Sequence, residues 1–236
     1  MNSKSTVIVI GGGVIGCSIA FHLSKCGVNT TVVERGRIGA EASAAASGLL
    51  GPSSGKHPYD ELATKSYNMF PQLTEELEDI SGIQTEFLKC GMLEIAITHT
   101  EVLDLSKRFN ELSTAGTQID WLEPREALGL ESQLNQSTVG AIYMPNISKI
   151  NNRQLCKALA ISSLKLGAEF RHGVEVTGLV KDGQKIIGVE VPGDKILGDK
   201  IVIAAGAWTG TLAASLGLEH FQSPCGPLAK FAPIHP

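Results

Sequence analysis

The sequence predicts an α/β fold built around a parallel β-sheet, and three observations lead to this fold class. A short, continuous apolar run at Val7–Ile10 is typical of a strand buried on both faces of such a sheet. A glycine turn follows this strand directly, and apolar residues at helical spacing follow the turn. Two further predicted strands, at Thr30–Val33 and Ile201–Ala205, complete the pattern. With 236 residues, 43% of them hydrophobic, the chain can bury a sizeable core.

The composition excludes several classes of protein. The net charge of −4 and the lack of a dense basic run argue against a nucleic-acid binder. No uninterrupted apolar run approaches the roughly 18 residues of a membrane span. The six histidines form no metal-ligand pair, so no metal site is predicted. The five cysteines contain no C-x-x-C motif and are interpreted as unpaired thiols of a cytoplasmic protein.

The N-terminus imitates a secretory signal peptide. Lys4 precedes the mainly apolar stretch from Val7 to Ala20. Three consecutive glycines, Gly11 to Gly13, interrupt that stretch, and no further positive charge precedes it. A strand, a glycine turn and a helix account for these residues better.

The turn carries the spacing G-x-G-x-x-G. Gly11 allows the tight turn, Gly13 lets the backbone approach a pyrophosphate, and Gly16 lets helix and strand pack closely. The helix that follows would offer the N–H groups of Val14 and Ile15 to the phosphates. In a strand–turn–helix context this spacing predicts dinucleotide binding.

The second strand supports the same interpretation. It follows a helix that Gly27 closes, and it ends in Glu34, 18 residues beyond Gly16. A carboxylate at this distance can accept hydrogen bonds from a ribose hydroxyl. Its charge would repel a 2′-phosphate, which argues against NADP.

Small residues fill the next segment, from Ala42 to Pro52. A nicotinamide-binding unit would continue directly into another helix and strand, whereas this stretch is too poor in large side chains to form core. Small side chains allow backbone N–H groups to lie against a large flat ligand such as a flavin. The alternative interpretation is a flexible linker.

The remaining elements follow from apolar spacing, turn chemistry and capping residues. Helices are predicted over Leu62–Ile80, Val102–Leu112, Arg125–Leu128 and Arg153–Leu166. The first is kinked or split at Pro71 and ended by Gly82, and the second is closed by Gly116. The third follows Pro124, and the fourth is capped by Asn152 and stopped by Gly167. Strands are predicted at Met92–Ile97, at Ala141–Met144, in a hairpin of Val174–Val180 and Ile186–Val191 that turns at Asp182-Gly183, and at Ile201–Ala205.

Three segments, Val7–Gly16, Glu34-Arg35 and Ala42–Leu50, together resemble the D-amino-acid-oxidase-type FAD-dependent oxidoreductases. Within that family the likeness is greatest to the ThiO-type glycine oxidases of thiamine biosynthesis. It continues through Gly91–Ile95, Gly167–Glu169 and Ile201–Gly210.

The resemblance implies a Rossmann-like FAD-binding domain, a parallel sheet with a β-hairpin crossover, interrupted by part of an antiparallel-sheet substrate domain. The FAD-binding domain would comprise residues 1–84 and 151–217, and the partial substrate domain residues 85–150. Residues 218–236 would form an atypical Pro-rich tail.

The cofactor implied is FAD. Together, the motif and the resemblance place its contacts at Gly11, Gly13, Val14, Ile15, Gly16, Glu34, Arg35, Ala42, Ser43, Ser47, Gly48, Leu49 and Val176. The implied reaction oxidises a small amino acid or amine of the glycine or sarcosine class with O₂, giving a 2-oxo acid, ammonia and H₂O₂.

The catalytic residues stay unassigned. In the family, the arginine that binds the substrate carboxylate comes from a C-terminal half, and no arginine of this chain occupies a matching position. The segment Pro224–Leu228 departs from the family pattern, which suggests truncation or a shifted reading frame. We therefore expect the chain alone not to turn over, with the strands at Met92–Ile97 and Ala141–Met144 left with unpaired edges.

Several alternatives stay open. The chain could be a non-catalytic FAD-binding remnant, or another family member such as a sarcosine-oxidase-like or glycerol-3-phosphate-dehydrogenase-like flavoenzyme. Its partners could be further copies of itself or a separate chain that supplies the C-terminal half.

Overall fold

The computed structural model describes residues 6–52 and 59–218. The strands are β1 (Thr6–Ile10), β2 (Asn29–Glu34), β3 (Leu49–Leu50), β4 (Leu88–Lys89), β5 (Met92–Ala96), β6 (Asp120–Leu122), β7 (Gly140–Met144), β8 (Ser148–Lys149), β9 (Glu169–His172), β10 (Gly178–Asp182), β11 (Lys185–Val191), β12 (Asp194–Leu197) and β13 (Lys200–Ile203). The helices are α1 (Val14–Lys25), α2 (Ala42–Ala45), α3 (Asp60–Ser81), α4 (His99–Thr114), α5 (Pro124–Leu130), α6 (Asn152–Lys165) and α7 (Thr209–Ser215), and a 3₁₀ turn at Gly206–Trp208 precedes α7. The Pro-rich tail, apart from Leu218, lies outside the described residues.

Contacts between residues divide the chain into two compact units. The first contains the described residues within 1–46, 77–85 and 152–236, and the second those within 47–76 and 86–151. The boundaries near residues 85 and 151 lie close to those predicted from the sequence, whereas residues 47–76 group with the second unit. The assignment of these units to cofactor and substrate stays a prediction.

The first unit is built on a four-stranded parallel sheet in the order β13-β1-β2-β9. Successive residues of β1 face opposite sides of this sheet. Ile8 and Ile10 pack in a cluster with the crossover strands, while Val7 and Val9 pack with residues of α1. All four side chains are buried, which explains why β1 is a continuous apolar run.

The crossover is an antiparallel sheet in the order β10-β11-β12. The predicted hairpin is present, and Gly183 adopts a φ of +58° at its turn. Its first strand begins at Gly178 rather than at the predicted Val174, and β12 adds a strand that the sequence analysis missed. Only one residue of β12, Ile196, is buried, so its apolar pattern is weak.

The second unit contains two small antiparallel sheets, in the orders β5-β7-β6 and β3-β8-β4. Strand β7 pairs on both sides, so the expectation of an unpaired edge at Ala141–Met144 is wrong. Strand β6 pairs with the edge of β7 that was expected to be open. With three residues, β6 is too short to show the alternation of apolar and polar residues that identifies a strand in a sequence.

Two helix predictions need correction. Helix α3 continues through Pro71, which contradicts the predicted split, while the alternative of a kink stays a prediction. Asn152 begins α6 itself rather than capping it, and its side-chain amide donates to the Ala46 carbonyl at 2.6 Å. Within the described residues, no helix is both long enough and apolar enough to cross a lipid bilayer.

Candidate functional site

A cavity of about 360 Å³ opens at the carboxyl edge of the parallel sheet. Its walls come from the segments that follow β1, β2 and β13, from the residues that open the crossover and from α7. The chain leaves β1 toward β2, while β13 lies on the opposite side of β1. Such a switch in strand order creates the crevice where ligands bind in open α/β sheets. The volume falls in the range of small-molecule sites.

The glycine turn is fixed by close backbone approaches. Gly11 has a φ of +111°, and a Cβ atom there would collide with the carbonyl oxygen of Ala204. A Cβ atom on Gly16 would collide with the carbonyl oxygen of Gly11. Among the described residues, a Cβ atom on Gly13 would meet Ser43 Oγ at 3.2 Å, a tight contact with a side chain rather than a collision with backbone.

The carboxylate of Glu34 lies beside this turn. The N–H of Gly12 donates to Oε2 and the N–H of Gly36 donates to Oε1, each at 2.7 Å. These two bonds fix the carboxylate at the cavity wall. A carboxylate offers about four lone-pair positions, so both oxygens can still accept from a ligand hydroxyl.

The small-residue segment begins with α2, a single helical turn that faces the start of α1. Ser43 Oγ accepts a hydrogen bond from the Val14 N–H at 3.0 Å. Val14, Ile15 and Gly16 form the first turn of α1, where N–H groups have no acceptor within the helix. The side chain of Ile15 is 64% exposed. The Val14 N–H, which was predicted to face a phosphate, is thus already bonded to Ser43, while the helix end keeps the partial positive charge of its first turn.

The structure brings most of the predicted site residues to one place. The cavity lining includes Gly11, Gly13, Glu34, Arg35, Ala42, Ser43 and Val176. Val14, Ile15 and Gly16 form the helix turn next to Gly13.

The other three predicted residues belong to the second unit. Gly48 is buried with a φ of +77°, and its carbonyl accepts from the Ile150 N–H at 2.9 Å. Leu49 pairs with Lys149 in a two-residue strand and is exposed, and Ser47 precedes this strand. Their role as cofactor contacts stays a prediction.

The residues after β13 that form one wall of the cavity were not predicted as site residues. Trp208, Thr211, Leu212 and Ser215 all line the cavity. The available signal was a tryptophan a few residues after a predicted strand, within the segment Ile201–Gly210 that carries the family resemblance.

Two buried cysteines lie beneath the glycine turn. The Cys17 thiol donates to the Gly12 carbonyl at 3.4 Å. The pKa of Cys17 is raised from its ordinary value of 9.0 to about 12, chiefly by burial and to a smaller extent by the neighbouring Cys156 and Glu34. Burial also raises the pKa of Cys156, and a hydrogen bond with the Ser43 side chain partly opposes this shift. Both thiols are therefore neutral packing groups at physiological pH.

The raised pKa of Cys17 predicts a loss of stability in alkali. The unfolded thiol ionises above about pH 9, whereas the folded thiol keeps its proton up to about pH 12. Between these values the folded state binds more protons, so its stability falls by about 1.4 kcal/mol per pH unit as the pH rises. Urea unfolding from pH 8 to 11 measures this slope.

Comparison with Cys17→Ala isolates the contribution of this thiol, because the variant lacks the group but keeps every other ionisable side chain. Cys26→Ala serves as the control, since Cys26 is free and exposed. Equal alkaline slopes in Cys17→Ala and the parent protein would contradict the assignment.

Among the described residues, no three histidine, cysteine, aspartate or glutamate side chains converge as a metal site would require. Arg108 pairs with Glu94 at 2.7 Å and Arg171 pairs with Asp194 at 3.0 Å. Arg35 and Arg37 line the cavity.

Comparison with known proteins places this geometry in a family. The model of the family "DAO: FAD dependent oxidoreductase" matches residues 6–232. The glycine oxidase of Geobacillus kaustophilus is 32% identical over 223 residues, 93% of this chain and 59% of that protein. The mitochondrial pyruvate dehydrogenase phosphatase regulatory subunit of Mus musculus is 30% identical over 216 residues, 90% of this chain and 24% of that protein.

A solved structure gives the same result. The crystal structure of glycine oxidase from Bacillus cereus superposes with a TM-score of 0.83 at 32% identity, covering 89% of this chain and 59% of that one. The chain thus spans about 59% of the length of the glycine oxidases that it matches. The predicted α/β fold is confirmed by this superposition.

Proposed function

Because the chain belongs to the family of FAD-dependent oxidoreductases, we propose that its first unit holds the adenosine end and the pyrophosphate of FAD in the cavity beside the glycine turn. The contacts come from the residues predicted from the sequence: Gly11, Gly13, Val14, Ile15, Gly16, Glu34, Arg35, Ala42, Ser43 and Val176. We also keep Ser47, Gly48 and Leu49, which belong to the second unit, as proposed FAD contacts.

The observation that carries this proposal is the fixed carboxylate of Glu34 beside an open helix N-terminus. Glu34 is held by two backbone N–H groups at 2.7 Å and can still accept from the hydroxyls of a ribose. Gly13 has packing space that a side chain would fill, next to the first turn of α1. Anionic phosphate is favoured at such a position. The residues present therefore fit the cofactor.

For the reaction, we propose oxidation of a small amino acid or amine of the glycine or sarcosine class. When bound, the flavin would supply the two-electron acceptor chemistry needed to remove a hydride equivalent from the carbon next to the substrate nitrogen. This chain contributes the binding and orientation of the cofactor, which is the usual role of the protein in flavin chemistry. The names of the glycine oxidase relatives support this substrate class. We also propose that O₂ is the electron acceptor and that the reaction serves thiamine biosynthesis.

The chain's arginines do not supply an obvious partner for a substrate carboxylate. Arg35 stacks on Trp208, and Arg108 and Arg171 form ion pairs. Arg37, Arg125 and Arg153 do not occupy the family's substrate-binding position. We propose that this cation comes from outside the described residues, on the same polypeptide or on a separate one.

We further propose a cytoplasmic location. Four of the five cysteines are described and free, as expected in a reducing compartment.

Glu34→Gln tests the cofactor assignment. The amide keeps the size of the side chain but loses the negative charge, and its NH₂ group cannot accept hydrogen bonds. We expect the dissociation constant for FAD to rise about tenfold, since hydrogen bonds to a charged group contribute about 1.5–3 kcal/mol. Isothermal titration with FAD measures this change.

Glu175→Gln is the matched control, because Glu175 is an exposed carboxylate that also lines the cavity. It should leave FAD affinity within about twofold, since exposed charges contribute little. Equal affinities of Glu34→Gln and Glu175→Gln would contradict the ribose assignment.

Turnover tests the proposed source of the substrate-binding cation. We expect the purified chain, reconstituted with FAD, to release H₂O₂ from glycine or sarcosine no faster than free FAD does. Without a positioned cation the Cα–H bond is not aligned, and positioning can contribute about 7–11 kcal/mol to catalysis. A peroxide assay measures the rate. Turnover well above that of free FAD would show that one of the chain's own arginines binds the substrate, and Arg37, Arg125 and Arg153 would be replaced in turn.

A second candidate function is that of an FAD-binding regulatory protein without oxidase activity. The mouse relative named as a regulatory subunit favours it. The two candidates differ when substrate is added anaerobically to the FAD-loaded chain together with the segment that supplies the cation: only an oxidase loses the visible absorbance of oxidised flavin.

A further inference from the structure

Helix α2 depends on other elements for its position. It is a single turn of four residues, and each of them is at least partly exposed. A helix of this length gains little stability from its own backbone hydrogen bonds. Contacts with neighbouring elements must therefore fix the helix, and α2 contacts α6.

Two residues of α6 bind α2. Asn152 begins α6, and its side-chain amide donates to the carbonyl of Ala46, the C-cap of α2, at 2.6 Å. Cys156 lies four residues further along α6, and its thiol forms a hydrogen bond with the side chain of Ser43 in α2. Residues four apart lie on the same face of a helix. One face of α6 therefore binds α2 both at its end and at Ser43.

Close packing fixes the position of Cys156. Its side chain is only 2% exposed. A Cβ atom on Gly39 would lie 2.8 Å from the Cβ of Cys156, so the backbone of Gly39 packs directly against this side chain. Gly39 adopts a φ of +68°, and its N–H donates to the carbonyl of Gly12 at 2.8 Å. The segment that packs on Cys156 is thus itself bonded to the glycine turn.

The hydrogen bonds of Ser43 determine where its hydroxyl proton points. A hydroxyl has two acceptor positions and one donor. The Val14 N–H fills one acceptor position at 3.0 Å. Burial raises the pKa of Cys156, so its thiol keeps its proton at physiological pH and can donate to the second position. With both acceptor positions filled, the hydroxyl can only donate, and Ser43 lines the cavity.

We propose that Cys156 is a positioning residue for the bound dinucleotide: its S–H group donates to Ser43 Oγ, so that the Ser43 hydroxyl donates to a phosphate oxygen. The inference deepens the proposed function and rests on it, since it assumes that the pyrophosphate lies beside Ser43. Cys156 acts through Ser43 and needs no contact with the ligand. The sequence predicted no such role for a thiol in α6.

Infrared spectroscopy tests the hydrogen bond from thiol to hydroxyl in the absence of FAD. The S–H stretching band is well separated from other protein bands, and its frequency falls when the S–H group donates. Cys156→Ser removes one band and so identifies that of Cys156. We expect Ser43→Ala to move this band to higher frequency and to leave unchanged the band of Cys17, which donates to the Gly12 carbonyl. A Cys156 band that keeps its frequency in Ser43→Ala would overturn the inference.

FAD binding separates positioning from packing. Cys156→Ala loses the donor, and we expect the dissociation constant for FAD to rise about fivefold, the order of effect of one hydrogen bond. Cys156→Ser keeps a donor at this position and should stay within about twofold of the parent. Both substitutions disturb a buried site, so both should lower the melting temperature. Equal losses of FAD affinity in the two variants would overturn the inference.

A double-mutant cycle tests whether Cys156 acts through Ser43. In the Ser43→Ala background, Cys156→Ala should change the dissociation constant for FAD by less than about twofold, because the hydroxyl that the thiol orients is missing. A loss as large as that in the parent background would overturn the inference. Failure of the parent chain to bind FAD would overturn the proposed function and the inference with it, whereas FAD binding with an unresponsive Cys156 band would overturn the inference alone.

Discussion

Gly13→Val is expected to weaken FAD binding severely while leaving the fold intact. Among the described residues, a Cβ atom at this position would meet Ser43 Oγ at 3.2 Å, so the protein itself can accommodate a side chain after a small shift of Ser43. The branched methyl groups would fill the space beside the first turn of α1, where we place the pyrophosphate. We expect the dissociation constant for FAD to rise by about two orders of magnitude, or about 3 kcal/mol.

Titration calorimetry with FAD measures this loss, and circular dichroism with thermal unfolding checks that the variant is folded. Gly129→Val is the matched control, because Gly129 lies in α5 and, apart from the adjoining residues and backbone of that helix, no described residue comes within 4 Å of its would-be Cβ. It should bind FAD as the parent does. A folded Gly13→Val protein with parental FAD affinity would show that the phosphates do not lie at the glycine turn.

Gly16→Ala is expected to destabilise the folded chain severely, even without cofactor. A Cβ atom at this position would collide with the carbonyl oxygen of Gly11, and backbone on both sides of the contact cannot move without disrupting β1 or α1. Severe steric overlap in a packed core costs about 3 kcal/mol or more. For a chain of this size, that corresponds to a fall in melting temperature of about 10 °C.

Thermal unfolding measures this fall. Gly129→Ala controls for the change of residue type, since it adds the same methyl group to a helical glycine in open space, where alanine favours the helix. A melting temperature of Gly16→Ala equal to that of the parent would mean that α1 and β1 are not packed as closely as the structure shows.

The region from β1 to β2 could be predicted from the sequence because its determinants are local. Four consecutive apolar residues, a glycine motif and a helical apolar period follow one another over less than thirty positions. Each part of this pattern has a direct physical cause in the structure. The apolar run is buried on both faces, and Gly11 and Gly16 lie where backbone approaches exclude a side chain.

The shorter strands could not be predicted because their stability comes from pairing with distant segments. Strand β9 has the sequence Glu-Phe-Arg-His and is only partly buried, yet it pairs with β2 far earlier in the chain. Strands β3, β4 and β8 have two residues each, which is too few to establish an apolar period.

The candidate site likewise contains residues that local sequence predicts and residues whose position depends on distant segments. The glycine turn and Glu34 could be predicted because they lie within one strand–turn–helix–strand unit. Trp208 could not, because its position beside Arg35 depends on the pairing of β13 with β1, which joins the two ends of the first unit. The sequence around an exposed tryptophan that follows a strand does not indicate which distant residue the tryptophan contacts.

The central claim is that the first unit of this chain binds FAD at the glycine turn, and the absorption spectrum of the purified protein tests it most directly. The chain is incubated with excess FAD and passed through a gel-filtration column alongside the Gly13→Val and Gly129→Val variants. We predict that the parent and Gly129→Val proteins elute with an equimolar amount of FAD, visible as the absorbance of oxidised flavin, and that Gly13→Val elutes without it. Folded parent protein that elutes free of flavin, or equal flavin content in all three proteins, would contradict the account.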